Sequence, residues 1–183
     1  MKYSLKNIIE CLLLVSDEPL SISQIAKILD DKSSNKKQIN HAIDELNQDY
    51  ANKAIHICQV ASGFRFQAKD GLDTYISKLK DKGTNKFSKA FLETTAIIAY
   101  KQPVTRGDIE DIRGVSVSTN TIRSLLERNW IKVSGFKDAP GKPALYATTK
   151  EFLDDLNIKN LSSLPDLPDS IETDDGEIFS QVV

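Results

Sequence analysis

Glu18-Pro19-Leu20-Ser21-Ile22-Ser23-Gln24-Ile25-Ala26-Lys27-Ile28 returns 84 positions later as Gln102-Pro103-Val104-Thr105-Arg106-Gly107-Asp108-Ile109-Glu110-Asp111-Ile112. Both copies run Pro, aliphatic, hydroxyl, short helix, and the hydroxyl stands where it can cap the first turn. In each copy the two isoleucines three apart, Ile25 with Ile28 and Ile109 with Ile112, are expected to face inward. Each copy also follows an apolar run of helical spacing. One small helical module has therefore been used twice, which bounds both fold and domain count.

Working outward from the first copy, Leu5, Ile8, Ile9, Leu12 and Val15 mark the inward stripe of an opening helix. Ser21 or Ser23 can cap a second helix reaching Leu29, and a polar loop over 30–37 leads to a third over Gln38 to Tyr50, with Ile39, Ala42, Ile43, Leu46 and Tyr50 on one face. Ile55 and Ile57 then alternate with polar neighbours, Ser62-Gly63 supplies a turn, and Phe64 and Phe66 alternate on the return. A helix over Leu72 to Leu79 is expected to close the module.

The second copy sits in the same setting. Phe91, Leu92, Thr95, Ile98 and Ala99 precede it, Thr105 caps a helix ending at Gly114, and Ser118 to Asn129 carries Ile122, Leu125 and Leu126 inward. Ile131 to Val133 pairs with Ala144 to Ala147, and Thr148 or Thr149 caps a last helix. Three helices followed by a hairpin is the order of a winged helix, whose second and third helices form a helix-turn-helix. The expected fold is mainly α with small β-hairpin wings, an α+β chain of two tandem winged-helix domains. The boundaries are 1–80 for the first, 81–88 for a basic linker, 89–160 for the second and 161–183 for an acidic, disordered tail.

Composition narrows the partners. The chain has 183 residues, 24 basic and 26 acidic, and six of the acids (Asp166, Asp169, Glu172, Asp174, Asp175, Glu177) lie in the tail. Without those six the body carries 24 bases against 20 acids, too slight an excess for a strong claim on nucleic acid. Cys11 and Cys58 sit among apolar neighbours and suit a reducing compartment. Glu10 interrupts the opening apolar stretch, so no signal peptide is expected, and no apolar run approaches the ~18 residues a membrane span needs.

Catalytic readings fail on spacing. Gly135 and Gly141-Lys142 miss the phosphate-loop pattern, with Pro143 where a magnesium-binding hydroxyl belongs. His41 and His56 have no second ligand at zinc spacing, so neither enzyme activity nor cofactor is expected. DNA binding is the stronger rival: Arg123, Arg128, Lys132, Lys137 and Lys142 could form a phosphate stripe on the second module. Glu127, Asp138 and the acidic Asp44, Glu45 and Asp49 oppose it, as does a pI near 5.7.

The second half resembles a known family. The run Leu92-Glu93-Thr94-Thr95-Ala96-Ile97-Ile98-Ala99-Tyr100-Lys101-Gln102-Pro103-Val104-Thr105-Arg106, with Ile109-Glu110-Asp111-Ile112-Arg113-Gly114-Val115, Leu125-Leu126-Glu127-Arg128 and Tyr146-Ala147-Thr148-Thr149-Lys150-Glu151-Phe152-Leu153, is similar to segregation and condensation protein B. That family supplies the tandem winged-helix subunit of the bacterial SMC complex. The resemblance implies a non-enzymatic, cytoplasmic, nucleoid-associated adaptor that homodimerises through its first half. Its second half would bind the kleisin, segregation and condensation protein A, and through it the SMC ATPase. The alternative is a tandem winged-helix transcriptional regulator, and a weak, nonspecific DNA contact is compatible with either.

Two sets of residues are candidates for those contacts. Leu13 and Leu14, read as lying off the first helix's stripe, suit a homodimer face unless the module's own final helix covers them. Tyr100, Lys101, Arg106, Glu110 and Arg113 cluster at the second helix-turn-helix corner, and with Tyr146 they suit kleisin contact. The competing account is structural: Tyr100 packs on the corner, and Arg106 with Glu110 makes a surface ion pair.

Overall fold

The computed structural model describes residues 3–30, 35–79 and 87–166. The order of elements is α1 (Leu5–Val15), α2 (Ile22–Leu29), α3 (Lys36–Asp49), β1 (Ile55–Gln59), β2 (Phe64–Ala68) and α4 (Asp73–Leu79), then α5 (Lys89–Lys101), α6 (Arg106–Arg113), α7 (Thr119–Glu127), β3 (Ile131–Phe136), β4 (Ala144–Thr148) and α8 (Lys150–Asp155). Helices predominate and two antiparallel hairpins accompany them, so the α+β class holds. Three helices, a hairpin and a helix thus occur in succession twice.

Each half has its own core. Ile9, Leu13, Ile25, Ile39, Ala42, Ile43, Leu46 and Ile57 form the first, and Phe91, Ile98, Ile109, Val117, Ile122, Leu125, Trp130, Ile131 and Phe152 belong to the second. The repeated hydroxyl does the same work in both copies. Ser21 forms a capping box with Gln24, and Thr105 forms one with Asp108, each satisfying backbone donors that the first helical turn leaves free.

The aliphatic residue before each cap adds a short third strand to its hairpin. Leu20 exchanges two backbone hydrogen bonds with Phe64, both 2.9 Å. Val104 does so with Tyr146 at 3.1 and 2.7 Å. The Pro-aliphatic-hydroxyl phrase therefore ties the helix-turn-helix to the wing at equivalent points of both modules.

Several expectations need correction. Ile25 and Ile109 are fully buried, but Ile28 and Ile112 are exposed. A helix of eight residues presents one inward edge, which in α2 is Ile22, Ile25, Ala26 and Leu29; a residue three beyond Ile25 turns about 60° off it on the side away from Ala26. Leu13 is 3% exposed and part of the first core, because it stands four residues after Ile9 and eight after Leu5 and so falls on the inward stripe. It has little surface to offer a partner. Leu14 is 67% exposed, and Val15, assigned to the stripe from sequence, faces out beside it.

The expected closing role of α4 also fails: none of its residues is buried, and Tyr75 and Leu79 are exposed. Leu126 is exposed and does not belong to the second core. The expected linker lies mostly outside the described residues, although Phe87 at its end stacks on Phe91 with ring centroids 4.7 Å apart. The segment read as tail begins in order, with a 3-10 turn at Leu161–Ser163 and Leu164 against the second core. Its acidic stretch after Asp166 lies outside the described residues.

Candidate functional site

The corner between α6 and α7 holds most of the residues singled out on sequence, and the repeat explains how they sit. The inward edge Ile22, Ile25, Ala26, Leu29 of α2 corresponds, 84 positions on, to Arg106, Ile109, Glu110, Arg113 of α6. Charged side chains thus stand where the first module is apolar, Arg106 exposed, Glu110 part-buried and Arg113 nearly buried. Such groups need partners there, and they have them.

The Arg106 guanidinium donates to Glu110 Oε1 at 3.0 Å, to Thr119 Oγ1 at 3.2 Å and to the Val117 carbonyl. Glu110 also accepts from the Val117 amide at 2.8 Å. That amide and Arg106 hold the Glu110 carboxyl below its usual range. Together the pair clamps the helix-turn-helix turn. Arg113, its side chain 9% exposed, donates to Glu93 Oε2 at 3.0 and 3.2 Å and so joins α6 to α5.

Other polar residues of the distinctive α5 run are similarly engaged within the chain. Thr94 and Thr95 are buried, and their hydroxyls donate to the Ala90 and Phe91 carbonyls at 2.8 and 2.7 Å. Gln102 Oε1 accepts from the Thr148 amide at 2.7 Å, and the Tyr100 hydroxyl donates to the Pro165 carbonyl at 2.7 Å. Tyr146 is half-buried against the second core. Of the six residues proposed at this corner, Lys101 alone has an exposed side chain with no ion pair or hydrogen bond among the described residues.

Sequence reasoning missed the apolar side chains that the corner and the second hairpin leave free. Ile112 and Val115 flank the turn glycine, Gly114, and Val133 and Phe136 stand out from β3; all four are exposed. A signal for Ile112 existed, since aligning the two copies puts it opposite Ile28, off the inward edge of both helices. The basic stripe is less free than its sequence suggests. Arg123 pairs with Glu127 at 3.1 Å, Arg128 lies 4.8 Å over the Phe87 ring, and Lys137 pairs with Asp108 at 2.9 Å. Among the described residues no group of His, Cys, Asp and Glu could hold a metal ion, and no helix is long and apolar enough to cross a membrane.

Asp108 is the strongest electrostatic feature of the corner. Lys137, together with the amide and hydroxyl of Thr105, donates to its carboxylate and lowers its pKa from 3.8 to about 2. A carboxyl depressed in the folded state stabilises that state above its unfolded pKa and loses the contribution as pH falls through the folded value. The second module should accordingly lose stability between about pH 4 and pH 2 as Asp108 protonates. Asp108→Asn should flatten that limb of a urea-midpoint profile followed through Trp130 fluorescence, and an unchanged limb would exclude Asp108 as its source.

Comparison with known proteins places these features in a family. Residues 7–167 match the family described as Segregation and condensation complex subunit ScpB. The chain is 41% identical over 184 aligned positions to a segregation and condensation protein B homolog of Coxiella burnetii, covering 97% of this chain and 88% of that one. It is 42% identical over 177 positions to segregation and condensation protein B of Geobacillus thermodenitrificans, covering 94% and 82%. A solved structure described as a dimer of ScpB N-terminal domain complexed with ScpA peptide is 32% identical, covers 40% of this chain and 91% of that one, and has a TM-score of 0.36. With a family match that spans both modules, corner and wings included, the chain belongs to the ScpB family of segregation and condensation complex subunits.

Proposed function

We propose that this chain is a non-catalytic adaptor of a chromosome-condensing complex. It homodimerises through its first module and binds the kleisin, segregation and condensation protein A, with its second. Through the kleisin it reaches the SMC ATPase, in the cytoplasm and at the nucleoid. The observation that carries the reading is the family match across residues 7–167, which spans both modules.

Surface chemistry supports it. Cys11, Leu14 and Val15, three and four apart on α1, make an apolar outer face, while Ile112 and Val115 expose apolar area at the second corner and Val133 and Phe136 do so on the second hairpin. Arg113, nearly buried, shapes that corner from within, while Arg106 and Glu110 keep exposed surface beside it, so kleisin contact falls to Tyr100, Lys101, Arg106, Glu110, Tyr146 and these apolar neighbours. The transcriptional-regulator alternative is weakened by the internal pairing of Arg123, Arg128 and Lys137.

The test is capture of the tagged full chain from its own cells with mass-spectrometric identification of what comes with it. Kleisin and SMC subunits support the adaptor; one enriched DNA sequence without them overturns it. For the dimer, Leu14→Glu would bury a carboxylate in an apolar contact, and light scattering at micromolar concentration should report a fall toward the 20.4 kDa monomer. A wild-type protein already monomeric there would remove the dimer.

A further inference from the structure

The two modules meet through polar groups that neither fold requires. On the first, the contact is the wing turn between β1 and β2 together with Arg65 of β2; on the second, it is Asp154 of α8 and Asn157, two residues beyond that helix. The Ser62 backbone amide donates to Asp154 Oδ1 at 2.9 Å. Arg65 Nη2 donates to the Asp154 carbonyl at 2.8 Å and to Asn157 Oδ1 at 2.5 Å. These groups lie 89 to 92 positions apart in the chain.

Both sides are rigidly mounted. The wing turn is fixed to its module by the Leu20–Phe64 exchange immediately beside it. On the other side, Thr149 caps α8, Phe152 is buried in the second core, and the Asp155 carboxylate accepts from Trp130 Nε1 at 2.6 Å. Consecutive aspartates therefore face opposite ways in function, Asp155 binding its own module and Asp154 the other. Asp154 is 8% exposed, and Val60, just before the wing turn, is buried without belonging to either core. Asn157 has φ of 57°, a left-handed conformation that Asn adopts more readily than most residues, and this carries its side chain to Arg65.

We infer that Arg65, the Ser62 amide, Asp154 and Asn157 form a latch that holds the two modules at one angle and commits the first module's wing to the second module. Domains of one chain move relative to one another unless an interface restrains them. Here the restraint is a few hydrogen bonds, two of them donated by a guanidinium, so the angle is set by residues that substitution can remove without touching either core. The inference deepens the adaptor reading, because the latch would fix the separation between the first module's outer face and the second module's corner. It is tested without any partner, so its failure and that of the adaptor reading are distinguishable.

Single-molecule energy transfer in the full chain provides the test, with dyes on Lys27→Cys in α2 and Asn120→Cys in α7 after Cys11→Ser and Cys58→Ser. The parent should give one narrow efficiency peak, and Arg65→Met and Asp154→Ala should shift it or widen it by about twofold. Ser62→Ala should leave it unchanged, since the donor there is the backbone. Asn157→Gly suits the left-handed backbone while deleting the Arg65 acceptor, so it should widen the peak even if a larger change impaired folding. A broad peak in the parent, or parent-like peaks in Arg65→Met, Asp154→Ala and Asn157→Gly alike, would overturn the latch.

Discussion

Gly63→Ala is expected to remove about 3–5 kcal/mol from the first module, combining overpacking with backbone strain. A Cβ at Gly63 would lie 2.3 Å from the Leu20 carbonyl carbon, 2.4 Å from its oxygen and 2.5 Å from the Ser21 nitrogen. All three atoms are backbone, so no rotamer change relieves the clash. Gly63 also has φ of +157°, which L side chains rarely adopt. The strand that must move away is the one that exchanges hydrogen bonds with Phe64 and positions the Ser21 cap, so wing pairing and helix-turn-helix are lost together. The chain has a single tryptophan, Trp130, and it lies in the second core. Urea unfolding followed by far-ultraviolet circular dichroism should therefore show an early transition in the variant, while Trp130 fluorescence keeps a midpoint close to wild type. Coincident wild-type and variant curves by circular dichroism would contradict the packing described for this turn.

Features that depend on neighbours in sequence are legible in the sequence itself. The Ser21 and Thr105 caps, the Ser62-Gly63 turn and both hairpins rest on residues within a few positions of one another, and local stereochemistry dictates them. Errors arose where a helix had more apolar residues than its inward edge could use. Ile28 and Ile112 satisfy helical spacing with Ile25 and Ile109, yet the edge turns the other way, toward Ala26 and Glu110. Leu13 was misassigned for the converse reason: it lies on the extension of the Leu5–Ile9 stripe, and three helical turns are long enough for one stripe to include it.

The corner residues carried a different ambiguity. Arg106, Glu110 and Arg113 look like interface residues because they are long and charged on an amphipathic helix. Set against Ile22, Ala26 and Leu29 of the first copy, they are seam residues that pair internally. The distinctive sequence from Glu93 to Arg106 is thus largely accounted for by packing and hydrogen bonding, which moves the search for partner contacts to the free apolar side chains around it. The contact between Arg65 and Asn157, 92 positions apart, leaves no periodic or local trace and could come only from the fold.

Trp130→Ala is the second large effect, expected to cost the second module about 3–5 kcal/mol. Its ring lies 5.3 Å from Phe87, 5.8 Å from Phe91 and 5.8 Å from Phe152 by centroids, so truncation opens a cavity among side chains contributed by the approach to α5, by α5 itself and by α8. Arg128, 6.0 Å from the ring, loses a cation–π partner, and Asp155 loses the indole donor. Trp130→Phe separates these contributions, because it keeps an aromatic ring in the cluster and removes the indole hydrogen bond, for about 1 kcal/mol. Thermal unfolding by circular dichroism should rank wild type above Trp130→Phe and that well above Trp130→Ala; equal stability of the alanine variant would mean the cluster does not organise this core. The same residue bears on the angle between modules. Phe152 and Asp155 are two of the side chains that seat α8, beside Leu153 and the Thr149 cap, and both lean on Trp130, so an indole truncated to a methyl group loosens the helix that carries Asp154. Trp130→Ala should therefore also broaden the inter-module energy-transfer peak under conditions where the protein remains folded. Trp130→Phe should leave the peak narrow, because Phe152 still has an aromatic surface to rest on.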